Sequence, residues 1–513
     1  MRKGKSDVEF DWKSEAFIVG VDSVASPLAF LFKRFLIHGH ISKFLLLCSL
    51  VPIIKDKLGD KTSSNNYRAI AISSLIMKLF DWILLILFGK ELSPSYYQFE
   101  FMRKCSTTMC SWAVTETVNY FTNRKTPVFC VLLDLTKAFD MVKFSTLFKK
   151  LYDRIPKIFL RLLMFSYMNQ QCLARWNLSK SKLFSIHNGV RQGAVASPIF
   201  FSIYLDDLFE LLNKSGLGCK IGPHFFGIEG YADDCALLSP DRAGLQLMLD
   251  IAKNFFDQHD IIISTNINIA KSKTKCIAFG LKNKEPIKIV LNDGRALPWE
   301  PSWPHLGHIL HNDESPKHDL MVKRGQFIGK LHSFRQEFGN LDPLVYIQLV
   351  STYISSFYGS NLWDLYGEDS DKLYKSWNIM IQIIFNLPRE THKYLIEPIS
   401  YKPHLKVQLV KRFISFCNSL KASDKPHLKY LMNLQMTDYR STFGRNVVNI
   451  CKDGGVDKIS EVQPQNIIYK PVSPDNSWRI PLIQELLEVR AQRLQTILDP
   501  EEVLDLLNSL TIS

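Results

Sequence analysis

Two short apolar runs that lead into aspartates most constrain how this chain can fold. The first is Leu-Leu-Asp-Leu-Thr-Lys-Ala-Phe-Asp, which contains Asp134, and the second is Tyr-Ala-Asp-Asp, from Tyr231 to Asp234. A buried carboxylate is costly unless a partner offsets its charge, and a cluster of carboxylates is costlier still. Acidic residues at the ends of apolar strands therefore indicate a cation site. Mg²⁺ is the cation that this set of ligands suits best.

The pattern Tyr-x-Asp-Asp occurs twice, and its context separates the two copies. Around the first copy, Tyr204 to Asp207, apolar residues recur at three- and four-residue spacing, which predicts an amphipathic helix. Asp206 and Glu210 lie away from the apolar stripe, and we interpret them as part of a solvated helical face. The second copy joins two short apolar segments, which predicts a hairpin whose tight turn presents Asp233 and Asp234.

Composition narrows the class of protein. A hydrophobic content of 46% indicates a globular chain, and a net charge of +13 suits a polyanionic partner, although a basic surface without a partner has the same charge. The ten cysteines include no Cys-x₂-Cys pair, so neither a zinc knuckle nor a disulfide framework is indicated. We expect an intracellular protein of the nucleus or cytoplasm, without a disulfide-linked partner, a secretory signal or a membrane span. The apolar segment from Leu75 to Phe88 contains two charges, and we interpret it as a buried helix.

The spacing of apolar residues predicts an α+β fold with a mixed sheet backed by helices. Strands are predicted at 44–54, 67–72, 261–265 and 274–279, and helices at 108–122, 141–165 and 242–259. Asp140 stands where it could cap the second of these helices, and we favour that role over metal binding. Beyond Asp313 the pattern is mostly helical.

Several further motifs appear in a fixed order along the chain. They are Asn66-Tyr67-Arg68, Gln98-Phe99 with Ser106-Thr107, Asp134 to Asp140, Gly189-Val-Arg-Gln-Gly193 with Ser197-Pro198, Tyr231 to Asp234, Asn268 to Lys271, and His305-Leu306-Gly307. In this order they resemble the motifs of reverse transcriptases from non-LTR retrotransposons of the LINE type, such as Jockey. Two residues depart from the family pattern: Glu100 occupies a position where Gly is usual, and His305 replaces Tyr.

The resemblance implies a right-hand polymerase fold. Residues 1–25 would be an N-terminal segment, 26–310 the fingers and palm, 311–403 an α-helical thumb-like region, and 404–513 a C-terminal helical region of unknown role. It also implies an RNA-directed DNA polymerase, which adds dNTPs to the 3′-hydroxyl of a DNA primer on an RNA template.

The same resemblance assigns the metal ligands and a proton donor. Asp134, Asp233 and Asp234 match the carboxylates that hold two Mg²⁺ ions, for which Mn²⁺ is a substitute. Lys271 matches a lysine that protonates the leaving pyrophosphate, although Lys273 is close enough to take this role instead.

Further residues match the nucleotide pocket of the family. Lys55 and Arg68 match residues that hold the triphosphate, and Gln192 and Gly193 match a turn that lines the nucleotide and template pocket. Phe139 stands where reverse transcriptases have a bulky residue that excludes a ribose 2′-hydroxyl. This favours deoxynucleotides over ribonucleotides, and the same ring could also be a core residue.

A basic segment follows the palm motifs. Apolar residues alternate there with five cationic residues: Lys317, Lys323, Arg324, Lys330 and Arg335. A thumb helix that tracks the phosphates of an A-form duplex would have this pattern, and so would a solvated basic helix.

Two alternative functions stay open at this point. One is a truncated or inactive retroelement copy that only binds nucleic acid, because complete elements carry an endonuclease and the residues before Ser26 are too few for one. The other is a reverse transcriptase of a different lineage, such as a group II intron maturase or telomerase. Oligomeric state is not indicated by the sequence.

Overall fold

The computed structural model describes residue 4 and residues 12–462, except 267, 282–287, 340 and 392, and divides them into two compact units. Unit 1 contains the described residues up to 306, together with 311–314 and 423–431. Unit 2 contains 307–310, 315–422 and the described residues from 432 onward. The predicted C-terminal helical region at 404–513 is helical up to Gly454, and its part beyond 462 lies outside the described residues.

Unit 1 combines helices with several small sheets. Its helices are α1 (Ser14–Val19), α2 (Val21–His38), α3 (Leu75–Leu87), α4 (Thr107–Thr122), α5 (Ala138–Met141), α6 (Phe144–Leu151), α7 (Lys157–Met168), α8 (Ser197–Lys214) and α9 (Arg242–Gln258). The first nine strands are β1 (Leu47–Ile54), β2 (Tyr67–Ser73), β3 (Val128–Leu133), β4 (Leu135–Thr136), β5 (Gln171–Trp176), β6 (Ser179–Lys180), β7 (Phe184–Ser185), β8 (Lys220–Ile221) and β9 (His224–Phe225). The later strands are β10 (Ile228–Tyr231), β11 (Asp234–Ser239), β12 (Ile262–Ile263), β13 (Lys275–Phe279), β14 (Ile289–Val290), β15 (Ala296–Leu297) and β16 (Ser302–His305). A last strand, β17 (His308–His311), is divided between the two units.

Two sheets of unit 1 organise the site. In the β1 sheet, the strand order is β2-β1-β5-β6, with β7 also paired to β5; β1 runs antiparallel to β2 and parallel to β5. In the β3 sheet, the order is β10-β11-β3-β13, and all neighbours are antiparallel. Every residue of β3 is buried, because α4 and α9 pack on this sheet and its residues join the main apolar core. The predicted mixture of helices and sheet is confirmed.

Several predicted elements need correction. The helix predicted at 141–165 is two helices, α6 and α7, because Pro156 stands at the N-cap of α7 and interrupts the helical hydrogen bonds. The strand predicted from residue 44 begins with a 3₁₀ turn at Lys43–Leu46, and the strand predicted at 261–265 is only Ile262–Ile263. The helices predicted at 108–122 and 242–259 are confirmed as α4 and α9.

The described part of unit 2 is mainly helical and also contains His308–Leu310 of β17. Its helices, of which α15 also contributes residues to unit 1, are α10 (Lys317–Phe338), α11 (Pro343–Leu349), α12 (Glu368–Ile384), α13 (Lys393–Ser400), α14 (Leu405–Ala422), α15 (Pro426–Gln435) and α16 (Thr442–Gly454). A buried Asp319 on α10 accepts a hydrogen bond of 2.7 Å from the indole of Trp363, which anchors α10 in this unit. Within the described ranges, we find no helix with the length and apolar character that crossing a bilayer requires.

Candidate active site

The β3 sheet brings the distant aspartates to one edge. Strand β3 ends at Leu133, which pairs with Cys235 on the antiparallel strand β11. Continuing this register by one residue sets Asp134 opposite Asp234, the first residue of β11. Neighbouring residues on paired strands lie about 5 Å apart between Cα atoms, so this edge gathers carboxylates that are far apart in sequence.

A tight turn presents the third aspartate. Tyr231 and Asp234 are paired across β10 and β11, so Ala232 and Asp233 form a two-residue hairpin turn. Ala232 has a φ of 53°, in the left-handed region that such turns use. Its backbone N–H donates a 2.8 Å hydrogen bond to the side-chain oxygen of Gln98, which holds the turn in place.

The electrostatics of these aspartates fit a bound cation. Burial, together with the charges of Asp233 and Asp134, raises the pKa of Asp234 to about 7. Burial and Asp134 likewise raise the pKa of Asp233. Among the described residues, the ligand oxygens of the three aspartates are not all within 4.8 Å of one another. Mutually repelling carboxylates behave in this way, and a divalent cation between them would relieve the repulsion.

Cationic side chains surround the carboxylates. The charges of Arg68 and Lys273 partly oppose the rise in the pKa of both Asp233 and Asp234. Burial lowers the pKa of Lys55, and the nearby charges of Lys273, Arg68 and Lys137 lower it further. These residues therefore form an electropositive group beside the aspartates, as a triphosphate site requires.

One cation of this group, Lys137, was not assigned from the sequence, and another, Lys273, was given only as an alternative to Lys271. Lys273 is a lysine of its loop whose charge acts on both Asp233 and Asp234. The adjacent Thr274 accepts a 3.2 Å hydrogen bond from the N–H of Asp134, which ties this loop to the end of β3. Lys137 lies within the motif Asp134–Asp140, and its backbone has a φ of 48°, in the left-handed region. The sequence did not indicate that its charge would act on Lys55.

The turn at Gln192 and Gly193 contacts strand β2. The N–H of Ala71 donates a 2.7 Å hydrogen bond to the carbonyl of Gln192. Gly193 has a φ of 110°, and a Cβ atom there would lie 2.9 Å from the carbonyl oxygen of Ala71. Only glycine fits this close approach without strain, which explains the residue type.

Asp140 does not cap a helix, so that interpretation was wrong. It lies inside α5, and its carboxylate accepts a 3.1 Å hydrogen bond from the side-chain amide of Gln192. The N-cap of α6 is Lys143, which makes no side-chain cap. Asp140 therefore joins the first aspartate motif to the Gln192 turn.

Phe139 is half-buried beside the first aspartate. Its ring stacks on Phe201 of α8 with centroids 4.3 Å apart and an interplanar angle of 19°. Its carbonyl accepts a 2.8 Å hydrogen bond from the N–H of Val190. Because it is half-buried, this ring both packs on the core and keeps an exposed part.

Glu100 adds a fourth carboxyl group near the aspartates. Burial raises its pKa to about 8, and the charges of Asp233 and Asp234 contribute to the same shift. One of its carboxyl oxygens is buried without a hydrogen-bond partner. The sequence marked Glu100 only as a departure from the family pattern, and the structure shows that it faces the same negative field as the aspartates.

The first Tyr-x-Asp-Asp copy lies on α8, as predicted, but its first aspartate is not solvated. Asp206 is buried, forms a 2.8 Å ion pair with Arg154, and accepts a 2.8 Å hydrogen bond from the N–H of Ser95. Asp207 is exposed and pairs with Lys150 at the surface. The interpretation of Asp206 as part of a solvated face was therefore wrong.

Replacing Asp206 by Asn is expected to destabilise the protein by about 1–3 kcal/mol, because it removes one charge of a largely buried hydrogen-bonded pair. The midpoint of urea unfolding would measure the change. The matched variant Asp207→Asn removes an exposed charge and should change stability by less than about 0.5 kcal/mol. Equal destabilisation by the two variants would contradict the assignment.

The five basic residues of the predicted thumb all lie on one helix, α10. Lys317, Lys330 and Arg335 are exposed, whereas Lys323 and Arg324 are half-buried. The guanidinium of Arg324 donates a 2.9 Å hydrogen bond to Ser376 of α12. The predicted helix is confirmed, and its contact with nucleic acid stays a prediction.

Comparison with known proteins gives a consistent result for unit 1. The family model described as "Reverse transcriptase (RNA-dependent DNA polymerase)" matches residues 56–310. A Pol polyprotein of the R2 element of Popillia japonica is 28% identical over 251 residues, which are 47% of this chain and 35% of that protein. The Pol polyprotein of R2DM from Drosophila melanogaster is 28% identical over 165 residues, which are 32% of this chain and 15% of that protein.

This chain spans only about a third or less of the length of each of these curated relatives. Among solved structures, telomerase from Candida albicans in complex with a telomeric RNA fragment aligns with a TM-score of 0.37 and 10% identity, over 79% of this chain and 62% of that one. A TM-score this low adds nothing to the assignment. The family match confirms the right-hand polymerase fold predicted for this region.

Proposed function

Residues 56–310 belong to the reverse transcriptase family and are related to the Pol polyproteins of R2 non-LTR retrotransposons, and on this premise we propose that the chain is an RNA-directed DNA polymerase. It would extend the 3′-hydroxyl of a DNA primer with dNTPs on an RNA template. One observation carries the proposal: three aspartates meet at the edge of the β3 sheet beside a group of cations.

The aspartates are the proposed ligands of two Mg²⁺ ions, with Mn²⁺ as a substitute. Asp134, Asp233 and Asp234 supply the hard oxygen ligands that these ions prefer. When bound, such a pair of ions activates the attacking hydroxyl and stabilises the leaving pyrophosphate. The high pKa of Asp234 agrees with this role, because a carboxylate in a negative field gains most from a nearby cation.

The cations beside the aspartates are the proposed triphosphate site. Arg68 has a planar fork that suits phosphate oxygens, and Lys55 and Lys273 add charge on the same side. Either Lys273 or Lys271 would protonate the pyrophosphate, and the electrostatic contacts of Lys273 favour it. Gln192 and Gly193 would border the nucleotide pocket next to strand β2.

Helix α10 is the proposed contact with the primer–template duplex. At 3.6 residues per turn, Gly325 and Gly329 lie on its exposed side, and a Cβ atom at either would meet no other atom within 4 Å. Lys330 lies on one flank of this glycine face, and Lys317 and Arg335 lie on the other. A helix face with two glycines and with cations on both flanks fits a shallow groove bordered by two phosphate backbones.

Binding of the duplex is expected to weaken steeply as salt is raised, because lysines and arginines release counterions from phosphates. Lys330→Gln should reduce the slope of log affinity against log salt by about 1. Fluorescence anisotropy of a labelled primer–template at several salt concentrations would measure it. The exposed Lys421→Gln on α14 is the control, and an identical slope for Lys330→Gln and the parent would contradict the assignment of α10.

The compartment and partners follow from this chemistry. The proposed compartment is the nucleus or cytoplasm, because a polymerase that copies RNA into DNA acts where its template and primer are. The proposed partners are the RNA template, the DNA primer and dNTPs.

Extension of oligo(dT) on poly(rA) tests the function directly. We expect incorporation of dTTP with Mg²⁺ or Mn²⁺ and none after chelation of the metal. Tight binding of the primer–template without any incorporation would instead favour a retroelement remnant that only binds nucleic acid.

A further inference from the structure

A segment that is remote in sequence packs in unit 1 close to the hairpin β10–β11, which carries Asp233 and Asp234 and is called the catalytic hairpin. Ser423–Leu431 follows α14, a helix of unit 2, yet it belongs to unit 1. Two of its side chains, Lys425 and His427, are almost fully buried there. A buried lysine is costly unless its ammonium group is hydrogen-bonded, so its partners show what the segment does.

Lys425 binds the backbone of the loop Tyr96–Phe99. Its ammonium group donates a 2.9 Å hydrogen bond to the carbonyl oxygen of Gln98 and another to that of Tyr96. The same group lies 4.3 Å from the centre of the Phe99 ring, in a cation–π contact. These three contacts, to Tyr96, Gln98 and Phe99, fix the path of the loop.

The loop in turn holds the catalytic hairpin. The N–H of Gly230 donates to the carbonyl of Tyr97 at 3.0 Å, and the N–H of Phe99 donates to the carbonyl of Gly230 at 2.8 Å. The side-chain oxygen of Gln98 accepts the N–H of Ala232, which directly precedes Asp233. The loop therefore pairs with the outer strand of the hairpin and caps its turn.

His427, on the same segment Ser423–Leu431, packs against the loop Tyr96–Phe99 and strand β10. Its ring contacts those of Tyr97, Phe99 and Phe226 at centroid distances between 5.4 and 6.2 Å. Its Nε2 lies 3.6 Å from a carboxyl oxygen of Glu229, the neighbour of Gly230, and both side chains are fully buried. Lys425 is thus held in a packed environment, which limits how far its ammonium group can move.

We propose that Lys425 is a positioning residue for nucleotidyl transfer: it fixes the Tyr96–Phe99 loop, so that Gln98 holds Ala232 in its left-handed conformation and Asp233 in place. An alanine in this conformation costs roughly 1 kcal/mol or more and persists only where its surroundings enforce it. A segment from beyond the predicted thumb therefore takes part in shaping the metal site. This inference rests on the proposed function for the meaning of that site.

The substitution Lys425→Met keeps the length of the side chain and removes the hydrogen-bond donor. We expect kcat for dTTP incorporation to fall roughly tenfold to a hundredfold, as small displacements of catalytic groups cause. The dissociation constant of Mn²⁺, titrated by electron paramagnetic resonance without substrate, should rise several-fold. The affinity for primer–template should stay within about twofold of the parent.

The matched control is Lys429→Met, an exposed lysine of the same segment, which should leave all three quantities unchanged. Lys425→Arg retains donors and should restore part of the Mn²⁺ affinity that Lys425→Met loses. Unchanged kcat and Mn²⁺ affinity in Lys425→Met would overturn the proposal, as would equal losses in Lys429→Met.

A double-mutant cycle tests the route through Gln98. Gln98→Met alone should weaken Mn²⁺ binding, and adding Lys425→Met should weaken it little further, because both act on the same contact. Fully additive losses would overturn the route. If Lys425→Met does not fold, Gln98→Met still decides whether the loop controls the metal site. If the parent extends no primer, the proposed function fails, whereas the Mn²⁺ titrations still test Lys425.

Discussion

Replacing Asp233 by Asn is expected to lower the rate of primer extension by at least about a thousand-fold, because one neutralised ligand weakens metal binding and removes several kcal/mol of transition-state stabilisation. The side chain keeps its size, so the hairpin should fold as before. Single-turnover extension of oligo(dT) on poly(rA) would measure the rate, and circular dichroism would show that the fold is retained.

The first Tyr-x-Asp-Asp copy, which lies on α8, offers a control within the same chain. Asp207→Asn changes an exposed aspartate on α8 that pairs with Lys150, and it should leave the rate within about twofold of the parent. Retained extension by Asp233→Asn, or an equal loss in Asp207→Asn, would rule out the hairpin as the metal site.

The second large effect is expected at Phe139. If its exposed part closes the pocket below the incoming sugar, Phe139→Val opens space for a 2′-hydroxyl without requiring any new contact. We expect the ratio of kcat/KM for UTP to that for dTTP to rise at least about tenfold. Steady-state kinetics with both nucleotides on the same primer–template would measure it.

Phe144→Val separates selectivity from packing. Phe144 is also half-buried against the main core, but it lies at the start of α6. Both variants should lower stability because each removes apolar contacts. Only Phe139→Val should change the nucleotide ratio. If that ratio stays constant while dTTP incorporation is retained, Phe139 is a core residue, and the preference for deoxynucleotides loses its support from this position.

The sequence was most informative where structure depends on near neighbours. The periodicity of α4, α9 and α10 is local, and so is the contrast between an aspartate pair on a helix and one in a hairpin turn. These patterns predicted the elements that present Asp134, Asp233 and Asp234. The break between α6 and α7 also has a local cause, Pro156. We predicted one continuous helix there because the apolar pattern continues across the proline.

Only the tertiary structure shows which residues distant in sequence form ion pairs and hydrogen bonds with the site residues. Asp206 has the pattern of a solvated residue, but Arg154, 52 positions away, pairs with it in the interior. The sequence favoured Lys271 over Lys273, whereas in the folded chain Lys273 is among the charges that act on Asp234, and the adjacent Thr274 is hydrogen-bonded to the end of β3.

The sequence by itself determined which residue types stand at the ends of which strands, because spacing and turn chemistry depend on a few neighbours. Only the tertiary structure determines which charged groups lie near those residues and act on their pKa values. The clearest case is Lys425, whose carbonyl partner at Gln98 is 327 positions away. The physical reason is that burial and electrostatic field depend on every group that folding brings close, whatever its place in the chain.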